Sequence, residues 1–161
     1  MAMLELAQRG IQRVAVVRVL ALRHLPGAAL AEPLPPPGRC IGDGPHLLWC
    51  SPNECLWIGS DSALADAFLA RHAPGRDPLA CAVDQTDGSI VLELDAAVAR
   101  HALPRCMDAA AIPAVPGSGS RGRLADIQVT LLCVSADRLW LIADRTHEAY
   151  LLAWLDHAGP A

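Results

Sequence analysis

Apolar and polar positions along the chain fall into short alternating runs, and one such run occurs twice. It spans residues 48–61 and returns at 131–144, pairing Leu48 with Leu131, Cys50 with Cys133, Leu56 with Leu139, Trp57 with Trp140 and Asp61 with Asp144. The copies lie 83 residues apart without a gap, and the match continues through Leu69/Leu152 and Ala70/Ala153. Each copy predicts an apolar strand, a polar turn, a second apolar strand and an acid that starts a helix. The turns are Ser51-Pro52-Asn53 and Ser135-Ala136-Asp137, built from residues that favour turn geometry. Asp61 and Asp144 are placed to accept from the free N–H groups of the helices that follow. One helix presents Leu64, Phe68, Leu69 and His72 as a stripe, the other His147, Leu151, Leu152 and Leu155. A hairpin with one helix cannot bury its own apolar face, so two copies in a common sheet are expected to make the core. In register, Trp57 and Trp140 point to corresponding sides of that sheet.

The rest of the pattern fills in around the repeat. Residues 1–10 predict a short helix ending at Gly10, and residues 11–22, rich in valine, predict a strand. Four prolines at 33, 35, 36 and 37 make a stiff connector. Residues 80–86 and 89–94, joined at Asp87-Gly88, predict a hairpin with Ile90, Leu92 and Leu94 on one face. Asp95 caps a helix through Ala102, and residues 104–123 predict a loop, most flexible at 113–120. Residues 158–161 predict a frayed tail. The expected fold class is α+β. The order strand-helix-strand-strand-helix-strand within it is ferredoxin-like, with helices on one face of an antiparallel sheet. The organisation expected is a single domain over residues 1–161. Within it, residues 1–45 supply an N-terminal strand and proline-rich connector, and residues 46–157 a repeat-containing core.

Composition narrows the function. Hydrophobic residues make up 53% and charged residues 19% of the 161, which argues against disorder. All 13 basic residues are arginine, against 17 acids, and the net charge is −4. Nucleic acid is therefore not an expected partner, since neutralising phosphates needs a concentrated positive surface. The apolar run at 14–22 is interrupted by Arg18 and is too short to span a bilayer. With Arg18, Arg23 and His24 where a secretory signal should be clean, no membrane association and a cytoplasmic location are expected.

Six cysteines are present, but no C-x-x-C occurs. Cys50, Cys81 and Cys133 fall in strand patterns where cysteine behaves as a small hydrophobe. Reduced, metal-free thiols fit that spacing better than a ligand set. His46 could approach Cys50 or Cys55 as a base, but no third, orienting group is evident. Asp84 and Asp87 look like paired acids, and turn aspartates are the commoner cause of such a pattern. His147 reads as a stripe residue. Arg121 and Arg123 could hold an anion, against the alternative of solvated loop charges. No dinucleotide fingerprint is present.

Several of these segments carry a resemblance. Leu34-Pro35 with Pro37-Gly38-Arg39, then Leu48-Trp49 and Ser51-Pro52-Asn53-Glu54-Cys55-Leu56, resemble the gamma subunit family of heterotetrameric sarcosine oxidase, a relative of the aminomethyltransferase (glycine cleavage T-protein) folate-binding fold. Val83-Asp84 and Leu94-Asp95-Ala96 are similar to a strand and helix start of that fold. Asp137-Arg138-Leu139-Trp140 and Tyr150-Leu151-Leu152-Ala153-Trp154-Leu155 are similar to its closing strand and helix. The resemblance covers residues 33–157. It implies an aminomethyltransferase-like fold and a non-catalytic accessory subunit of a flavin-dependent sarcosine or related secondary amine oxidase. Flavin, NAD and tetrahydrofolate would then sit on larger flavoprotein partner subunits, and none on this chain. The related folate enzymes carry a glycine pair and two adjacent acids where this chain has Arg123-Leu124-Ala125-Asp126. The resemblance therefore leaves Asp126 as the one folate-type position. A stand-alone folate-binding or one-carbon-transfer module is the alternative reading.

Overall fold

A computed structural model describes residues 7, 9–15 and 17–159. The helix expected at 1–10 lies mostly outside the described residues, as do the last two residues of the expected tail. The strands are β1 (Ile11–Arg13), β2 (Arg18–His24), β3 (Cys40–Ile41), β4 (His46–Ser51), β5 (Glu54–Gly59), β6 (Ala80–Asp84), β7 (Ser89–Asp95), β8 (Gly119–Leu124), β9 (Ile127–Ser135) and β10 (Arg138–Asp144). The helices are α1 (Ser62–Arg71), α2 (Ala96–His101), α3 (Leu103–Cys106) and α4 (Glu148–Ala158), with 3-10 turns at Ala109–Ala111 and Arg145–His147. The class is α+β. The strands form two five-stranded sheets, ordered β1-β7-β10-β9-β8 and β3-β4-β5-β2-β6, with every pairing antiparallel. Contacts divide the chain into two compact units, Val16–Asp87 and Met1–Ala15 with Gly88–Ala161.

In the Val16–Asp87 unit, α1 covers one sheet face. Leu20 and Leu22 of β2, Cys55 and Trp57 of β5, and Ala65 and Phe68 of α1 form one core cluster, with the Trp57 and Phe68 rings 5.9 Å apart. Asp61 caps α1 by accepting from Ala63 N and Leu64 N at 2.8 and 3.0 Å. The buried stripe is Ala65, Phe68 and His72 with Leu69 beside it, while Leu64 is 47% exposed. Leu64 was expected on that stripe; it sits a turn early, immediately after the cap.

In the other unit, Ile90, Leu92 and Leu94 of β7 share one face, as expected, and pack with Leu139, Leu141, Leu151 and Leu155. That places α2 and α4 on the same side of the sheet. Asp95 caps α2 through Val98 N, and Asp144 accepts from Thr146 N and Oγ1 at the 3-10 turn before α4.

Three expectations about the elements change. The single strand at 11–22 is two, β1 and β2, which belong to different sheets. Residues 80–84 and 89–95 are not a hairpin: β6 pairs with β2, whereas β7 pairs with β1 and β10. Asp87-Gly88 carries the chain from one sheet to the other. The loop expected at 104–123 contains α3, a 3-10 turn and the edge strand β8.

The two copies of the repeat do not share a sheet, and their residue register fails as well. Ser51 Oγ accepts from Asn53 N and Ser135 Oγ from Asp137 N, both at 3.3 Å. These turns are equivalent, and they are 84 residues apart, not 83. An odd slip turns every side chain to the opposite face. Trp57 accordingly faces α1, while Trp140 alternates with Leu139 and Leu141, which face α4. Trp140 instead donates from its ring nitrogen to Glu93 Oε2 at 2.9 Å. The strand-strand-helix order recurs; the Trp57/Trp140 equivalence does not.

Candidate functional site

Asp126 is the second residue of the two-residue turn that joins β8 to β9. Both turn residues have positive φ, 43° at Ala125 and 71° at Asp126, and Leu124 pairs with Ile127 across it. This is the turn whose twist matches that of the flanking strands. Arg123 Nη2 donates to the Asp126 carbonyl at 2.9 Å, and Tyr150 Oη donates to the Ala125 carbonyl at 3.1 Å. The Asp126 side chain is exposed. Arg121, on β8, donates from Nε to Thr130 Oγ1 at 3.4 Å.

All six cysteines are free thiols. Burial pushes the Cys55 thiol up to about 12, with the neighbouring Cys50 and Glu54 adding to it, and pushes Cys40 up to about 11. Burial raises Cys106 and Cys133 too. The thiolate is the nucleophile, so these four are chemically quiet at neutral pH. His46 directs Nδ1 at the Gly42 carbonyl, 3.0 Å away, and Cys50 donates to the Leu48 carbonyl. Among the described residues no three or more His, Cys, Asp or Glu are grouped to hold a metal.

Asp84 and Asp87 have unlike surroundings. Asp84 accepts from Thr86 N at 2.9 Å and from Arg18 Nη2 at 2.7 Å, with Arg18 also 3.4 Å from Asp66. Burial works to raise the Asp84 carboxyl, but its bonds to Thr86 and Arg18 outweigh that and lower it. Asp87 is exposed in the connecting turn. His147 is half-buried at the start of α4.

Two features have no signal in residue spacing. Glu32, in the proline connector, reaches the C-terminal end of α1. Its Oε1 accepts from Arg71 Nε at 2.8 Å, and its Oε2 lies 2.5 Å from His72 Nε2. Desolvation pushes the Glu32 carboxyl up, but His72 and Arg71 together hold it below its ordinary value. The His72 ring also packs against Phe68, tilted by 55° with 4.9 Å between centroids. The second feature is a groove of about 550 Å³ in the Val16–Asp87 unit, between the end of β2, the β4–β5 turn and residues 74–81, with Arg23 and His24 in its wall. On α4, Tyr150 and Trp154 are 45% and 39% exposed and, with His157, form an aromatic surface strip. Among the described residues no helix is long and apolar enough to cross a membrane.

No family model matches the chain, and no curated protein matches it. Among solved structures it is similar to a chain of the heterotetrameric sarcosine oxidase from Corynebacterium sp. U-96, in complex with pyrrole 2-carboxylate. The TM-score is 0.76 at 22% identity, over 92% of this chain and 82% of that one. The two chains share a fold.

Proposed function

We propose that this chain is a non-catalytic, gamma-type subunit of a heteromeric flavin-dependent oxidase acting on sarcosine or a related secondary amine. The observation that carries the reading is the fold shared with a chain of a heterotetrameric sarcosine oxidase over 92% of this chain. Two features of the molecule support it. Four thiols are held as thiols by burial, which suits a structural component better than a nucleophile. On α4, Tyr150 and Trp154 stay exposed side by side, an aromatic strip of the kind that meets partners. In this reading flavin, NAD and tetrahydrofolate sit on the larger partner subunits.

The test is expression of the chain alone and together with candidate flavoprotein subunits. The expected result is copurification in fixed stoichiometry. Flavin absorbance and sarcosine-dependent oxygen uptake should belong to the complex and be absent from the lone chain. Tight tetrahydrofolate binding by the lone chain, lost on Asp126→Asn, would overturn the subunit reading in favour of a folate-binding module. Asparagine tolerates the positive φ of that turn, so the substitution removes the charge without straining the backbone.

A further inference from the structure

Helix α4 has two apolar stripes, and only one of them is used within its unit. Leu151, Leu155 and Ala158 are buried in the core cluster, whereas Tyr150, Ala153, Trp154 and His157 form a second stripe turned to solvent. These four stand at positions i, i+3, i+4 and i+7, the set whose side chains enclose one hole on a helix surface. A groove of about 390 Å³ lies there, lined by the same four residues and almost wholly apolar. Its walls are held before anything binds. Tyr150 Oη donates to the Ala125 carbonyl at 3.1 Å, and the Tyr150 and Trp154 rings meet at 64° with 6.3 Å between centroids. His157 meets Trp154 at 87° and 6.5 Å. The end of the helix is tied as well, since Arg105 Nη1 donates to the Ala158 carbonyl at 3.0 Å. Rings fixed in advance lose little freedom on association, which is what makes tyrosine and tryptophan strong anchors.

Charge, area and one open donor decide what occupies the hole. Both acids of α4 are neutralised by arginines of the same unit: Glu148 lies 3.6 Å from Arg13, and Asp156 is bonded to Arg9. The stripe itself carries neither an acid nor an arginine, so its complement is a surface that brings no unpaired charge. Trp154 Nε1 has no hydrogen-bond partner among the described residues, and once covered that N–H needs an acceptor from the covering surface. Tyr150 and Trp154 are 45% and 39% exposed, so the two rings offer roughly 200 Å² at most. Two copies of this chain meeting strip to strip would bury on the order of 500 Å², well below the roughly 1,200–2,000 Å² of a stable interface. The strip is thus the anchor of a wider contact, which calls for a surface larger than a second α4.

We propose that the hole on α4 seats the larger flavoprotein subunit, through an aliphatic side chain of that subunit inserted over Ala153 and an acceptor presented to Trp154 Nε1. The inference rests on the subunit reading above and names the surface by which the chain is held.

The full chain and its variants are titrated side by side against the larger flavoprotein subunits. Trp154→Ala is expected to weaken association about thirtyfold or more. Ala153→Glu fills the hole with a charge on a residue type that suits a helix, and should weaken association at least as much. Both positions are exposed, so both variants should keep the melting temperature of the lone chain. Leu64→Ala, at a similarly exposed apolar position on α1, is the control and should change nothing. If the unaltered chain binds those subunits and the two α4 variants bind equally well, the docking surface is wrong while the subunit reading stands. If the unaltered chain binds none of them, the subunit reading falls and this inference with it. A loss in Leu64→Ala equal to that in Trp154→Ala also overturns the assignment to α4. Sedimentation of the lone chain covers the remaining occupant: a dimer that Trp154→Ala dissociates would put a second copy in the hole and overturn the proposal.

Discussion

Glu32 is the residue through which the proline connector is tied to α1, and its charge makes that tie sensitive to pH. The carboxyl is lowered from an ordinary 4.5 in the folded chain. Such a group contributes stability that is present above its unfolded pKa and lost as pH falls through the folded one. Asp84, lowered from 3.8 beside Arg18, has the same sign. Unfolding stability is therefore expected to decline on acidification from about pH 4.5 downward. Glu32→Gln should start about 1–3 kcal/mol lower at neutral pH, because His72 and Arg71 lose a charged partner. It should also lose less of its stability through the acid window. Urea unfolding at pH 7 and pH 4 measures both effects, and an unchanged acid slope would remove Glu32 from this role. At this scale the helix caps were legible, since Asp61 and Asp144 each precede an amphipathic run. The Glu32–His72 pair was not, because it joins residues 40 positions apart and depends on where the connector lies.

The turn at Ala125-Asp126 shows why elements were harder to read than residues. Both positions adopt positive φ without asparagine or glycine, so the usual hairpin signal is missing. Arg121, Gly122 and Arg123 then disguise an edge strand as loop. Left-handed backbone costs an ordinary residue about 1–2 kcal/mol, and Asn-Gly suits this turn. The double substitution Ala125→Asn, Asp126→Gly is therefore expected to raise stability by about 1–2 kcal/mol. A denaturant midpoint that falls would show that Asp126 contributes an interaction of its own. The same limit explains the repeat. Turn, strand and helix recur in order, but a shift from 83 to 84 residues exchanged the faces of every strand position, and identity matching weighs Trp57/Trp140 above turn geometry. The missed pairing of β6 had a related cause: Asp87-Gly88 has the composition of a hairpin turn, and only tertiary pairing reveals that its two strands go to different sheets.

Across the whole chain, both sheets follow one plan. A three-strand meander, β3-β4-β5 or β8-β9-β10, is followed in order by an earlier strand, β2 or β7, and then by an outer strand, β6 or β1. The outer strands come from opposite ends of the pattern, β6 after α1 and β1 from the start of the chain, so only the inner four strands and their helix recur in the same chain order. The α+β class was legible from strand and helix periodicity, whereas two sheets in place of one rest on long-range pairings such as Ile11 with Leu94. If this fold serves as a subunit, its stability has to depend on partner concentration, because a partner that binds only the folded chain stabilises it by mass action. At about 100 times the dissociation constant that linkage is worth about 2.7 kcal/mol. For a chain of this size it corresponds to a rise in melting temperature of about 5–10 °C. The lone chain and the copurified complex are compared at several concentrations, following this chain's unfolding by hydrogen exchange. A melting temperature that climbs with partner concentration is expected. One that is identical alone and in the mixture would mean that the exposed apolar surface of this chain meets none of those subunits.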